Sequence, residues 1–151
     1  MIKISYYKQE FFYSCFPACL RMILEFYNIR KSEKELRILC KTTPLFGTIW
    51  EIVEDEIKNL GFEFIWKKNM ELNDLENLIK SGVPVIVSLD IEVKEVHRGH
   101  VAVVVDIIED SVVINDPEKG ECLNISKEHF LELWEARKNL GGYLKKNFIK
   151  L

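Results

Sequence analysis

Apolar residues recur at helical spacing through the first half of the chain and at strand spacing through most of the second. From Ala18 to Tyr27 they share one helical face, and Pro17 suits the first turn of that helix, where a missing N–H costs nothing. Ser32-Glu33-Lys34-Glu35 has the spacing of a capping box ahead of Leu36, Ile38, Leu39 and Cys40. Thr48-Ile49-Trp50-Glu51 repeats that spacing and predicts a helix to about Leu60, stopped at Gly61. Phe62 to Trp66 reads as a short strand, and Asn73-Asp74-Leu75-Glu76 caps a short helix that ends near Ser81-Gly82.

The period then changes. Val83-Pro84-Val85-Ile86-Val87-Ser88-Leu89 is nearly continuous apolar sequence, which predicts a strand buried on both faces. His100 to Ile108 and Val112 to Asn115 flank a turn at Glu109-Asp110-Ser111 and predict a hairpin with His100 at the mouth of its strand. Ser126 caps an amphipathic helix through Phe130, Leu131, Leu133 and Trp134, and Gly141-Gly142 breaks to a final edge strand, Tyr143 to Ile149. Helices first and antiparallel strands after make an α+β fold, with a helical layer facing a sheet across a cleft.

At 151 residues the expectation is a single domain over 1–151 whose core needs no staples. A formal net charge of −3 points to neither a nucleic-acid surface nor a polybasic membrane anchor. No apolar stretch approaches the ~18 residues that cross a bilayer. Met1 to Lys8 lacks the pattern of a signal peptide, so a cytoplasmic protein is the default. A reducing compartment argues against disulfides among Cys15, Cys19, Cys40 and Cys122.

Four residues carry the candidate chemistry. Cys15 sits where a helix begins, and the unpaired N–H groups there favour a thiolate, the form that attacks carbonyls. His100 opens a strand and can act as the base within hydrogen-bond reach of that thiol. Asp116 closes the next strand, near the same sheet edge as His100, and can hold the second ring nitrogen. Gln9 can fold back to supply an amide N–H to a developing oxyanion, alongside the N–H of Cys15. Singly, each has a plainer reading: a core thiol, a turn histidine, a turn acid and a solvated amide. A thiol early in the chain with a histidine and an acid far downstream is the order used by papain-like hydrolases. Cys19, Cys40 and Cys122 read as core thiols, Trp50, Trp66 and Trp134 as core aromatics, and His129 as a surface residue.

The spacing of these residues resembles the peptidase C39 family, papain-like domains that remove double-glycine leaders from bacteriocin precursors. The shared marks are Gln9 six residues before Cys15, the Cys15-Phe16-Pro17-Ala18-Cys19-Leu20 box, His100 opening a strand, and Asp116-Pro117 with Gly120 after the next strand. The resemblance implies a papain-like cysteine peptidase fold. It implies Cys15 as nucleophile, His100 as base, Asp116 as orienting acid and Gln9 as oxyanion donor. No cofactor is required, and the implied partners are a peptide or protein substrate and an ABC transporter. The chain has no G-x-x-x-x-G-K-[ST] phosphate loop and no membrane segment, so it is expected to be a stand-alone domain with any transporter on a separate chain. Ser14 and Phe16 stand where the family usually has Asp and Gly, and the absent glycine bears on room for the substrate backbone. Two other functions compete: a catalytically silent peptide-binding module on the same fold, and a zinc site made by Cys15, Cys19, His97 and His100.

Overall fold

A computed structural model describes residues 1–147. The Ser32 capping box forms as expected, with Ser32 Oγ accepting from the Glu35 N–H at 3.1 Å and Glu35 Oε1 accepting from the Ser32 N–H at 3.1 Å. It opens helix α2 (Glu33–Leu39), which follows α1 (Cys15–Phe26). Helix α3 (Trp50–Glu56) is capped by Ile49 rather than Thr48, whose hydroxyl is spent on Thr42 Oγ1 at 2.8 Å. That diversion removes the second capping box. After Glu56 the chain tightens to a 3₁₀ turn, Ile57–Leu60, and Gly61 ends it at φ 84°.

The remaining elements are β1 (Phe62–Lys67), α4 (Leu72–Lys80), β2 (Val85–Val93), β3 (Val96–Ile108), β4 (Ser111–Asp116), β5 (Gly120–Ser126), α5 (Lys127–Glu135) and β6 (Gly141–Lys146). The cap of α4 is Glu71, whose N–H donates to Asp74 Oδ2 at 3.2 Å. Ser126 caps α5 as expected, accepting from the His129 N–H at 3.1 Å.

Six strands make one antiparallel sheet in the order β1-β6-β2-β3-β4-β5. The expected hairpin of β3 and β4 is present, but β3 starts at Val96, so His100 lies within the strand opposite Leu89 and not at its mouth. Strand β5 was not anticipated. Strand β6 is not an edge: it pairs with β1 along its length and with β2 at Gly141 and Gly142. The absence of side chains allows this. A Cβ on Gly142 would meet the Phe64 ring at 2.6 Å and Trp66 Cβ at 2.9 Å. Of the expected strand to Ile149, Phe148 and Ile149 lie outside the described residues.

Alternate residues of the sheet feed two apolar clusters. Ile86, Val101, Val103, Val105 and Leu144 pack with Phe16, Leu20, Ile23 and Leu24 of α1. On the other face Val85, Val87, Ala102, Val104 and Ile114 pack with Leu75 and Ile79 of α4 and with Phe130 and Trp134 of α5. The sequence placed one helical layer on the sheet; α4 and α5 add a second. Packing on both faces holds β2, β3 and β4 rigidly, and those strands present the functional side chains.

Candidate active site

Cys15 is the first residue of α1, one position inside the helix from the N-cap, Ser14. Pro17 follows within the first turn, where no N–H bond is needed. Ser14 does not cap with its side chain. Its hydroxyl accepts from the Phe11 N–H at 3.0 Å and lies 3.1 Å from Glu33 Oε1. Glu33 is 1% exposed, yet its carboxylate is fully occupied. Oε1 also accepts from the Glu10 N–H at 2.9 Å, and Oε2 accepts from Arg37 Nε at 3.1 Å. A carboxylate from α2 thus fixes the Glu10–Ser14 bend that delivers Cys15. Where the family usually has Asp before the cysteine, Ser14 instead reaches an acid from another helix.

His100 and Asp116 are brought together by the β3–β4 hairpin. His100 Nε2 lies 2.8 Å from Asp116 Oδ1, and both residues are buried. The Asp116 Oδ1 atom also accepts the N–H groups of Glu118 at 2.9 Å and Lys119 at 3.2 Å. Burial opposes charge on Asp116, but the bonds from His100 and from these two amides prevail and hold its carboxyl below the usual range. Burial likewise opposes charge on His100. Its bonds to Asp116 and the Cys15 thiol, and the negative charges of both, outweigh that and raise it to about 9. With Nε2 committed to Asp116, Nδ1 is the nitrogen left for Cys15.

Gln9 is held close to this acid turn: its N–H donates to the Pro117 carbonyl at 2.8 Å, while the Tyr6 hydroxyl donates to the Asp116 carbonyl at 2.6 Å. The lead-in is therefore tied down. The Gln9 side chain gives one Nε2 proton to the Phe11 carbonyl at 2.9 Å, and its Oε1 is buried without a partner. An amide NH₂ has a second proton, so one donor is uncommitted.

Cys19 lies one turn further along α1 with its thiol on the Val101 carbonyl at 3.6 Å. Burial foremost, with the Cys15 and Asp116 charges, pushes that thiol up, as burial pushes Cys40 up to about 12. Both are core thiols as expected. Cys122 is not: it is exposed on β5. The ligands of the alternative zinc site do not converge, because the exposed His97 ring bonds Asp90 at 2.6 Å and Cys19 is turned into the core. Among the described residues no group of His, Cys, Asp and Glu side chains is arranged to hold a metal ion.

Cys15 and His100 open on a cavity of about 330 Å³ that also includes Trp50, Ser88, Arg98 and Arg137 and the 44–48 loop. Phe16 is 2% exposed; its ring packs edge-on against Trp50 at 5.3 Å and Phe64 at 5.8 Å. The ring is therefore part of the core, and the residue also borders the Cys15 cavity. The sequence reading missed Glu33, Arg98, Arg137 and Ser88. Glu33 lies inside the Ser32–Glu35 capping motif, which already accounts for an acid there, and nothing local distinguishes Arg137 from the charged residues around it.

The family model of the peptidase C39 family matches residues 3–139. The peptidase domain of Streptococcus ComA, a bi-functional ABC transporter involved in a quorum sensing pathway, is 27% identical. It superposes with a TM-score of 0.78 over 97% of this chain and 100% of that one. A double glycine motif protease from an AMS/PCAT transporter, solved in complex with the leader peptide, is 22% identical and shares the fold. Its TM-score is 0.76, over 97% of this chain and 94% of that one. The peptidase domain of Streptococcus mutans ComA is 25% identical with a TM-score of 0.65, over 93% of this chain and 98% of that one. No curated protein matches the sequence.

Proposed function

Because the chain belongs to the peptidase C39 family, we propose that it is a cysteine peptidase that cuts a peptide bond with Cys15, His100 and Asp116. One observation carries the reading: a buried histidine has one ring nitrogen held by Asp116 at 2.8 Å and shares a cavity with Cys15 at the head of α1. His100 takes the thiol proton at Nδ1, and the Cys15 sulfur attacks the peptide carbonyl carbon. The oxyanion is held by the Cys15 N–H and the free Nε2 proton of Gln9. On collapse the C–N bond breaks, the amine leaves with the proton from His100, and a thioester remains. Water, deprotonated by His100, attacks the thioester and returns the thiol. Asp116 keeps the imidazole in one tautomer throughout and stabilises its cation.

Membership of the peptidase C39 family supports a leader peptide of the double-glycine class as substrate, and the likeness to the peptidase domain of the ABC transporter ComA supports an ABC transporter as partner. Among the described residues no helix is long and apolar enough to cross a membrane.

The test is iodoacetamide labelling across pH with peptide mapping, on wild type and His100→Ala. Below neutral pH Cys15 should react about tenfold or more faster than the exposed Cys122, and His100→Ala should remove that advantage. Equal rates at Cys15 and Cys122 in the wild type overturn the reading.

A further inference from the structure

The sequence has five arginines. Three have partners within the protein: Arg21 lies over the Tyr7 ring, Arg30 pairs with Glu25, and Arg37 pairs with Glu10 and Glu33. The other two, Arg98 and Arg137, both line the Cys15 cavity. Among the described residues neither forms an ion pair, and no Asp or Glu lines that cavity. Arg98 stands two residues before His100 on β3, and its Nε is buried without a hydrogen-bond partner. Arg137 comes from beyond the end of α5 and reaches the bare backbone at Gly99, where a Cβ would stand 2.8 Å from one of its Nη atoms.

Among the described residues neither guanidinium has a side-chain hydrogen bond or an ion pair; Arg98 is half-buried and Arg137 is exposed. A buried guanidinium N–H without an acceptor is costly, and the penalty is relieved when a ligand brings one. The planar fork of arginine matches a carboxylate in particular. Around the pair the cavity mixes polar groups with exposed apolar side chains, Phe12, Leu45 and Phe46 at 65%, 81% and 70% exposure. In a chain of formal net charge −3, this pocket is a local positive site beside the thiol.

We propose that Arg98 and Arg137 form an anion subsite that takes a carboxylate of the peptide substrate close to the bond cut by Cys15. The proposal rests on the peptidase reading for its substrate, although the subsite itself can be probed without turnover. The carboxylate comes either from an acidic side chain or from a free peptide C-terminus.

The first experiment compares iodoacetate with the neutral iodoacetamide at Cys15, with Cys122 as internal reference, in wild type, in Arg98→Gln/Arg137→Gln and in Arg98→Lys/Arg137→Lys. The ratio of the two rates cancels changes in thiolate content, and the imidazolium of His100 is common to all three proteins. Iodoacetate preference at Cys15 should fall about tenfold in the glutamine pair and survive largely in the lysine pair. An unchanged ratio in the glutamine pair overturns the subsite. The second experiment uses pools of quenched fluorescent peptides with amidated or free C-termini. Faster cutting of amidated Asp or Glu pools than of Asn or Gln pools, dependent on the arginines, marks a side-chain carboxylate. An advantage confined to free C-termini marks the terminal carboxyl, and no advantage in either overturns the proposal. If no pool is cut while the iodoacetate ratio still responds to the arginines, the subsite stands and the peptidase reading falls.

Discussion

Asp116 meets His100 through Oδ1, the same oxygen that accepts the N–H groups of Glu118 and Lys119. The turn after β4 thus fixes the acid, and the histidine takes its orientation from that backbone-held carboxylate. Asp116→Asn keeps the shape and loses the charge. It should lower kcat by about 10²- to 10⁴-fold. In a labelling experiment the high-pH limb set by His100, near 9, should move down in the same variant. A variant that loses activity with that limb unmoved would leave Asp116 a purely structural role.

The same pair makes stability depend on pH from two sides. The His100 value is raised from about 6.5 in the unfolded chain to about 9. Its contribution is therefore whole below about pH 6.5 and lost as pH rises through about 9. The Asp116 value is lowered, so its contribution is present above about 3.9, the unfolded value, and lost as pH falls through the folded one. Wild type should lose on the order of 3 kcal/mol between pH 6.5 and pH 9 from this source. Thermal melts of His100→Ala over the same interval should show a much smaller decline.

Gln9→Ala should reduce kcat by about 10²- to 10³-fold with little change in KM, as expected for a donor used only in the transition state. Loss confined to thermal stability, through the Phe11 carbonyl contact, would instead assign Gln9 to the lead-in.

Glu33→Ala leaves Arg37 and the Glu10 N–H without their buried acceptor. A cost of about 3 kcal/mol is expected in chemical denaturation. Cys15 labelling should slow at temperatures where the variant is still folded, because the bend that presents the thiol is released.

Phe16→Gly, which restores the residue usual in the family, should destabilise by about 3 to 5 kcal/mol, since the ring fills the space between Trp50 and Phe64. Peptide preference measured on the folded fraction should be unchanged. A new preference would place the ring in the cleft.

Much of this molecule is legible in its sequence where the signal is local. Ser32 and Glu35, Ser126 and the β3–β4 hairpin announce themselves within a few residues. So do Cys15 at a helix start and Asp116 at a strand end. Strand β5 escapes because, as an edge strand, it is exposed or half-buried along its whole length and carries no core-facing apolar run. The early start of β3 escapes for another reason. The β2–β3 turn places Lys94 and Glu95 at φ 51° and 65°, without the Asn or Gly that marks such turns. Glu33 bonding Ser14, and Arg137 lying against Gly99, are meetings of distant segments that no window along the chain contains.

The placement of β6 bears on how the chain can be made. Among the described residues β1 pairs only with β6, and β6 separates β1 from β2. As the polypeptide leaves the ribosome, β1 therefore waits without a neighbour until residues 141–146 have been synthesised, some eighty positions later. During that interval the edges of β1 and β2 both lie open to pairing with other chains, a hazard that falls on translation rather than on the finished protein.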